Sequence, residues 1–404
     1  MWLSLIYILV YFHFLILPLT LDLRLSTKEP MDSSQNKPLL IIDGHLDMGF
    51  NALYNQRDLT QPIQILRERE DSLKNTLGPY ETDPGTVTVS LPELRRGHIG
   101  IMLATIMCRV QVPWPGRPNC HNAVRTQATA YARGQSHLAY YQALEKEGEV
   151  SWIKTLEDLE LSVAAWENPT LDTPVGLILS MESADPILGP DQVAQWWEDG
   201  LRAVGITHFG ANSYGHGTGT PGGLYPTAYP LLDAFADTNM IIDLTHATDT
   251  TFWQILDYWE GTVHASHCNC RALVPGQRHL SDEMIKALCE RGGVMGMVFA
   301  ESMLSPQFDW DDPSTHYTKA TRPMKAVVEH VDHICQLTGN TDHVAIGTDL
   351  DGGFGREFAP IDMDTVDDLQ NFLNILRDRG YSEVDVAKIA HGNLLRLFRN
   401  AWSK

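Results

Sequence analysis

The sequence predicts an α/β fold, a (β/α)8 TIM-type barrel built by residues 38–404. Two observations lead to this prediction. Eight short apolar runs alternate with helical segments after residue 38, and ionisable side chains follow several of those runs. An open doubly wound sheet is the alternative, but it predicts no count of eight strands and would need a glycine-rich phosphate turn after an early strand. No linker divides residues 38–404, so we expect a single domain.

The predicted elements follow from hydrophobic periodicity and from capping residues. The strands cover residues 38–47, 98–107, 175–181, 203–208, 240–246, 262–267, 293–299 and 343–349. The helices cover residues 122–148, 156–166, 191–198, 231–237, 249–258, a segment beginning at Ser281, 324–337, 365–379 and 382–398. A polar insertion at 56–81 follows the first strand. The glycine-rich segment 215–223 is predicted to be a flexible active-site loop.

Residues 1–37 are predicted to be an apolar leader followed by a polar linker. Residues 2–19 are almost continuously apolar and long enough for a membrane span, yet no Lys or Arg precedes them. They form a membrane anchor, an export signal, or a leader that the mature protein lacks, with Met31 as the true start. We favour the third interpretation, which predicts a cytoplasmic protein. The other two predict a membrane-anchored or exported one.

Charge and cysteine content exclude some functions. The 404 residues carry a formal charge of −21 without a Lys/Arg cluster, which disfavours nucleic-acid binding. Six cysteines are few for this length and favour a reducing compartment. The pair Cys268 and Cys270 would need a second ligand pair to form a structural zinc site, and none stands at a suitable spacing. We therefore expect buried or partly buried free thiols.

Ionisable side chains gather at the ends of the predicted strands. His45 and Asp47 end the first strand, and residues two apart on a strand point to the same side. Five more stand at or just past the ends of later strands: Glu182, His208, His246, His267 and Asp349. Active sites of (β/α)8 barrels form at the carboxyl ends of the strands, so we expect these seven side chains to lie together.

Imidazole and carboxylate groups are zinc ligands, and burying so many of them is costly unless a cation compensates. Three histidines and two carboxylates suffice for two ions if one carboxylate bridges. Asp43 has the same strand parity as His45 and is interpreted as a carboxylate behind the ligands. The remaining candidates are interpreted as structural or surface residues: His98, His216, His264, His279 and His391.

These motifs resemble the membrane (renal) dipeptidase family of metallopeptidases, in particular its microbial, non-anchored branch. The resemblance spans about residues 38–400 and keeps the family's motif order. It rests on Ile42-Asp-Gly-His45-Leu-Asp47, Ser180-Met-Glu182-Ser-Ala-Asp185, Leu244-Thr-His246, Ala265-Ser-His267 and Gly347-Thr-Asp349-Leu-Asp-Gly352.

The resemblance implies a metal-dependent hydrolase barrel with a binuclear zinc site. His45 and Asp47 would bind one Zn²⁺ ion, His246 and His267 the other, and Glu182 would bridge both. A hydroxide between the two ions would hydrolyse a dipeptide, and dipeptides with a C-terminal D-residue are candidate substrates. A homodimer is implied only by this resemblance.

The resemblance also implies roles outside the metal ligands. Asp349 would be the catalytic acid/base, with Asp351 as the competing candidate. His208 would hydrogen-bond the substrate carbonyl or the developing oxyanion. Arg278 would pair with the C-terminal carboxylate of the substrate, with Arg271 as the alternative.

The chain departs from the mammalian members of that family. It has no cysteine beside His208, no C-terminal lipid-anchor signal, and Phe299 where those members have a tyrosine. A barrel metallohydrolase for a non-peptide amide, such as an N-acyl amino acid or a lactam, is a second interpretation. Its usual metal-bridging lysine on the fourth strand is absent. A third, an inactive barrel acting as a binding protein, predicts missing ligands, and none of the five is missing.

Overall fold

The structure is a computed structural model that describes residues 37–73, 85–110, 123–308 and 319–403. Its strands are β1 Ile41–Leu46, β2 Ile99–Met107, β3 Arg109–Val110, β4 Ala123–Val124, β5 Val150–Trp152, β6 Val175–Glu182, β7 Leu201–Gly205, β8 Ile241–Asp243, β9 Val263–His264, β10 Met295–Met297 and β11 Val344–Ile346. Its α-helices are α1 Met48–Leu53, α2 Ile63–Leu73, α3 Leu91–Arg96, α4 Gln127–Glu147, α5 Leu156–Ala165, α6 Val193–Asp199, α7 Ala228–Ala236, α8 Asp249–Tyr258, α9 Asp282–Glu290, α10 Glu301–Leu304, α11 Lys325–Thr338, α12 Leu369–Arg379, α13 Glu383–Ala387 and α14 Asn393–Trp402. Short 3-10 helices cover Pro190–Gln192, Arg356–Phe358 and Val366–Asp368, and a π-helical turn covers Lys388–Gly392.

Eight parallel strands form a nearly closed barrel in the order β10-β11-β1-β2-β6-β7-β8-β9. The ring closes between β9 and β10 through a parallel bridge from Ala265 to Met295. The Ala265 N–H donates to the Val294 carbonyl at 2.9 Å, and the Gly296 N–H donates to the Ala265 carbonyl at 2.8 Å. The predicted (β/α)8 barrel is therefore confirmed.

The barrel strands are buried on both faces, which explains why they read as continuous apolar runs in the sequence. Every residue of β1, β2 and β6 is buried. Residues near the amino ends of the strands, among them Ile42 and Ile241, pack with Leu394 and Phe398 of α14. The last helix thus closes the amino-terminal end of the barrel, and the carboxyl-terminal end is left for the ionisable residues.

The strands are shorter than predicted at several carboxyl ends. β8, β9 and β11 end at Asp243, His264 and Ile346, so three of the predicted site residues lie three residues beyond their strands. A continuous apolar run indicates a buried strand but does not reveal where its pairing with the neighbouring strands stops. The sequence analysis also missed β5, which pairs with β6 outside the barrel ring, and α2 within the polar insertion.

The glycine-rich segment 215–223, which was predicted to be a flexible active-site loop, is held against the barrel mouth by backbone pairing. Gly217 pairs with Ala247, and Gly215 pairs with Leu224, in antiparallel bridges. The Thr218 N–H donates to the His246 carbonyl at 2.9 Å. The backbone of the segment therefore supports the loop that carries one of the predicted metal ligands.

Some predictions concern residues outside the described part of the chain. The leader 1–36, part of the polar insertion (74–84) and Cys120 are among them, so the predicted leader and linker stay predictions. Among the described residues, no helix combines the length and the apolar character needed to cross a membrane. The five described cysteines are all free thiols, and four of them are buried, as expected.

Candidate metal centre

The seven ionisable residues predicted to lie together do meet, at the carboxyl-terminal mouth of the barrel. None of them is more than 8% exposed. They come from strands or strand-end loops around the ring: His45, Asp47, Glu182, His208, His246, His267 and Asp349. Three histidine–carboxylate groups among them have ligand atoms within 4.8 Å of one another.

Glu182 lies at the centre of the cluster, at the last position of β6. Its Oε1 atom lies 2.9 Å from Nε2 of His246 and 3.2 Å from Nε2 of both His267 and His208. Its Oε2 atom faces the other side, 3.7 Å from Nε2 of His45. The two oxygens of the Glu182 carboxylate therefore face two different groups of potential metal ligands.

His45 belongs to the second set of donors. Its Nε2 atom lies 3.7 Å from Oδ2 of Asp47 and 3.9 Å from Oδ1 of Asp349. The strand parity that predicted a meeting of His45 with Asp47 is thus realised, although Asp47 stands just past the end of β1. Both oxygens of Asp47 and the Nε2 of His45 are buried without a hydrogen-bond partner in the described part of the chain.

Hydroxyl groups contact the far side of three of the four imidazoles. Nδ1 of His45 lies 3.4 Å from the Thr105 hydroxyl, and Nδ1 of His267 lies 2.8 Å from the Ser266 hydroxyl. Nδ1 of His246 lies 3.2 Å from the hydroxyl of Thr218. Contacts at Nδ1 orient each ring and leave its Nε2 directed at the centre, as metal-ligating histidines require.

The backbone that carries the site is locally strained. His246 and Asp349 have φ angles of 64° and 59°, in the left-handed region that residues with a Cβ rarely occupy. Backbone segments also approach one another closely inside the barrel, around Ser266. A Cβ atom on Gly296 or Gly347 would lie 1.9 Å from the Ser266 carbonyl oxygen. Glycine at these positions lets the loop carrying His267 cross towards the centre.

The charges of the cluster favour a bound cation. Burial alone would lower the pKa of His45, but nearby carboxylates, Glu182 foremost, raise it to about 10. Burial lowers the pKa of His246 well below its ordinary value and the pKa of His267 to about 3, and the charge of Arg278 adds to both effects. The raised pKa of His45 shows that the surrounding carboxylates attract positive charge, and the neutral imidazoles of His246 and His267 add nitrogen donors, so the cluster suits a divalent metal.

The unpartnered atoms and the donor chemistry together show that these residues fit metal ions. His45, Asp47 and Glu182 form one group of potential ligands, and His246, His267 and Glu182 form another. Three imidazoles, a shared carboxylate and a further carboxylate would leave ligand positions open on two ions, as in catalytic rather than structural sites.

Asp349 and Asp351 differ in their surroundings. Asp349 faces the cluster, where burial and then the neighbouring Asp47 and Glu182 charges raise its pKa well above the ordinary value. Asp351 is turned away. Its carboxylate accepts hydrogen bonds from the Thr88 N–H, the Thr88 hydroxyl and the Val89 N–H at 2.6–3.0 Å. Asp351 therefore anchors a neighbouring segment, and of these two aspartates only Asp349 faces the cluster.

Arg278 and Arg271 also differ. Arg278 is 2% exposed and donates one hydrogen bond, from Nη2 to the His267 carbonyl at 3.0 Å. Its Nε and Nη1 atoms are buried without a partner among the described residues. Arg271 forms a two-bond ion pair with Asp249 at 2.7 and 2.8 Å. Arg278 alone has donors available for a substrate carboxylate.

The sequence analysis missed one carboxylate of the site. Asp243, at the end of β8, accepts hydrogen bonds from the backbone of the two loops that carry His246 and His267. Asp243 lies three residues before His246, much as Asp43 lies two residues before His45. This similar spacing was the signal that could have revealed Asp243.

The fold and site define a barrel metallohydrolase: a (β/α)8 barrel whose mouth gathers histidines around a shared carboxylate. Comparison with known proteins identifies the family. Residues 35–403 match the profile of the membrane dipeptidases, peptidase family M19. The chain therefore belongs to the membrane dipeptidase family of metallopeptidases.

Relatives of this chain include dipeptidases of fungi and primates. An uncharacterised dipeptidase of Schizosaccharomyces pombe is 24% identical over 89% of this chain and 80% of its own length. Dipeptidase 3 of Macaca fascicularis is 23% identical over 95% of this chain and 68% of its own length.

Solved structures share the fold. The metallopeptidase dipeptidase AC aligns over 91% of this chain and all of its own, with 22% identity and a TM-score of 0.72. A metallopeptidase from Rhodobacter sphaeroides, bound to a phosphinate mimic of the dipeptide L-Ala-D-Ala, aligns over the same shares with 22% identity and a TM-score of 0.70.

Proposed function

We propose that this protein is a dipeptidase that uses two zinc ions to hydrolyse dipeptides with a free C-terminal carboxylate, including dipeptides with a C-terminal D-residue. The arrangement of Glu182 carries the proposal, because its two oxygens face two separate ligand sets. The D-residue is suggested by the relative from Rhodobacter sphaeroides, which was solved with a mimic of L-Ala-D-Ala.

The ligand residues would divide between two ions. His45 and Asp47 would hold one, His246 and His267 the other, and Glu182 would join them. Two bound zinc ions supply a water nucleophile at neutral pH and polarise the scissile carbonyl. Family membership supports a metal, and the nitrogen and carboxylate donors support zinc among the divalent metals.

Three further residues would handle the substrate. Arg278 would bind its C-terminal carboxylate with the two guanidinium nitrogens that have no other partner. His208, 7% exposed, would hydrogen-bond the carbonyl oxygen as negative charge develops there. Asp349 would carry a proton on its carboxylate to the leaving amine, a role that its raised pKa favours.

Metal analysis combined with a substrate panel tests the proposal. The purified protein should contain two zinc ions per chain and hydrolyse L-L and L-D dipeptides, with activity lost to a chelator and restored by Zn²⁺. N-acyl amino acids and lactams in the same panel test the alternative amide substrates. Fewer than one metal ion per chain together with no metal-dependent hydrolysis would refute the proposal.

A matched pair of variants makes the test specific to Glu182. Glu182→Gln should lose metal and turnover together, because it removes the shared charge. Glu301 is a suitable control, since it is also buried and follows a barrel strand. Its carboxylate accepts hydrogen bonds from the Thr321 hydroxyl at 2.8 Å and the Arg322 N–H at 3.1 Å. Glu301→Gln should keep both ions.

A further inference from the structure

Two aspartates beneath the candidate metal centre, one buried and one partly buried, share a hydrogen-bonding pattern, although neither belongs to a group of potential ligands. Asp43 is fully buried and lies on β1, and Asp243 lies at the end of β8. Each uses a single oxygen, Oδ1, to accept two backbone N–H groups. One N–H belongs to its own chain segment two residues on, and the other belongs to the neighbouring strand's end.

Asp43 joins β1 to the end of β11. Its Oδ1 accepts the His45 N–H at 3.1 Å and the Thr348 N–H at 2.9 Å. Its Oδ2 accepts the Thr348 hydroxyl at 2.6 Å. Thr348 directly precedes Asp349, so one carboxylate fixes the backbone on which both a predicted metal ligand and the predicted acid/base stand.

Asp243 does the same between β8 and β9. Its Oδ1 accepts the Thr245 N–H and the Ser266 N–H, both at 3.0 Å. Thr245 directly precedes His246, and Ser266 directly precedes His267. These loops lie beyond the strand ladders, whose last paired residues in this region are Asp243 and His264. Beyond the end of the strand pairing, the Asp243 carboxylate therefore provides backbone hydrogen bonds at the two loops that carry the proposed ligands.

We propose that Asp43 and Asp243 are positioning residues that each hold one half of the metal centre, Asp43 the half with His45 and Asp349, and Asp243 the half with His246 and His267. The inference rests on the binuclear site proposed above. It adds that the two halves are positioned independently, because no hydrogen bond among the described residues joins one of these carboxylates to the other's loops.

The pattern predicts which substitutions are tolerated. Asparagine has one carbonyl oxygen and can still accept both backbone N–H groups, whereas alanine can accept neither. If the aspartates act by position, the Asn variants should bind metal nearly as the wild type does. If they act only through negative charge, Asn and Ala should weaken binding equally.

Zn²⁺ titration against a competing chelator, without substrate, tests the proposal. The wild-type chain should bind two ions, and Asp243→Ala should weaken one of them roughly 10- to 100-fold, the range found when groups behind metal ligands are removed. Asp243→Asn should stay within about threefold of wild type, within the ordinary spread of such measurements. Equal losses in the Asn and Ala variants would overturn the positioning role.

Variants with only one intact half show which ion each aspartate controls. In His246→Ala, which leaves the ion of His45 and Asp47, adding Asp43→Ala should weaken that ion roughly 10- to 100-fold, and adding Asp243→Ala should change it little. In Asp47→Ala, which leaves the ion of His246 and His267, adding Asp243→Ala should weaken that ion and adding Asp43→Ala should change it little. Both aspartates acting on the same ion would refute the assignment.

The controls separate this inference from the proposed function and from misfolding. Asp368 is another buried aspartate with one oxygen, Oδ2, that accepts two backbone N–H groups, from Asp364 at 2.8 Å and Thr365 at 3.2 Å. Asp368→Ala should keep both ions at wild-type affinity. A wild type that binds fewer than two ions would refute the binuclear site itself, and thermal melts of the metal-free variants identify any that fail to fold.

Discussion

Replacing Arg278 by methionine tests how the site recognises its substrate. The guanidinium is buried and donates one hydrogen bond, from Nη2 to the His267 carbonyl. Its Nε and Nη1 atoms remain available for a substrate carboxylate. Methionine keeps much of the side-chain length and removes the charge and every donor. We expect dipeptide hydrolysis to weaken while the metal stays bound.

The size of the loss follows from the two available donors. A hydrogen bond to a charged group contributes about 1.5–3 kcal/mol, so two contribute roughly 3–6 kcal/mol. At about 1.4 kcal/mol per factor of ten, kcat/KM should fall roughly 10²- to 10⁴-fold. The carboxylate lies away from the reacting bond and is bound equally before and during the reaction, so the loss should appear mainly in KM.

The assay compares a free dipeptide with the corresponding dipeptide amide in both proteins. The wild type should hydrolyse the amide as poorly as Arg278→Met hydrolyses the free dipeptide, and the variant should treat the two substrates alike. Arg271→Met is the matched control, because its guanidinium is already paired with Asp249, and it should change kcat/KM less than about threefold.

Two results would refute this reasoning. If Arg278→Met lowers hydrolysis of the amide and of the free dipeptide by the same factor, the arginine does not bind the carboxylate. If Arg271→Met causes the large, carboxylate-dependent loss, the alternative arginine has that role.

Three further perturbations address catalysis and stability. Asp349→Asn should keep its metal but lose at least about 10²-fold in kcat. Asp351→Asn should keep kcat and lower the melting temperature. Metal analysis, kinetics and thermal melts check both variants, and the reverse pattern would contradict our assignment. Chelation should lower the melting temperature, because the buried carboxylates then repel one another, and Zn²⁺ should restore it; an unchanged melting curve would contradict this. Burial lowers the pKa of His330 to about 3, below its unfolded value of about 6.5, so the unfolded chain binds more protons between these pH values. The free energy of unfolding should therefore fall by about 1.4 kcal/mol per pH unit as the pH drops through that window. His330→Asn should reduce this slope in urea denaturation at several pH values, and an unchanged slope would refute the assignment.

The residues that meet at the barrel mouth were predictable because their signals are local. Buried parallel strands are continuous apolar runs, and an ionisable residue at the end of such a run must face the mouth or be paired. His45, Glu182 and His246 each carried that signal independently. The same logic predicted the barrel, and the structure confirms it.

Choices between neighbouring candidates were decided only by the tertiary structure. Asp349 and Asp351 stand two residues apart, yet one faces the cluster and the other binds Thr88, a residue more than 250 positions away in the chain. In the same way, Arg271 is paired with Asp249, whereas Arg278 keeps two guanidinium nitrogens without a partner among the described residues. Such partners come from other parts of the chain, and no local pattern records them.

The sequence by itself determined the kind of fold and the candidate metal ligands, because strand periodicity and side-chain chemistry are local properties of the sequence. Only the tertiary structure decided where the strands stop, how Ser266 passes between Gly296 and Gly347, and how Asp43 and Asp243 hold the two halves of the site. These features depend on backbone hydrogen bonds between distant segments, which exist only once the barrel has closed.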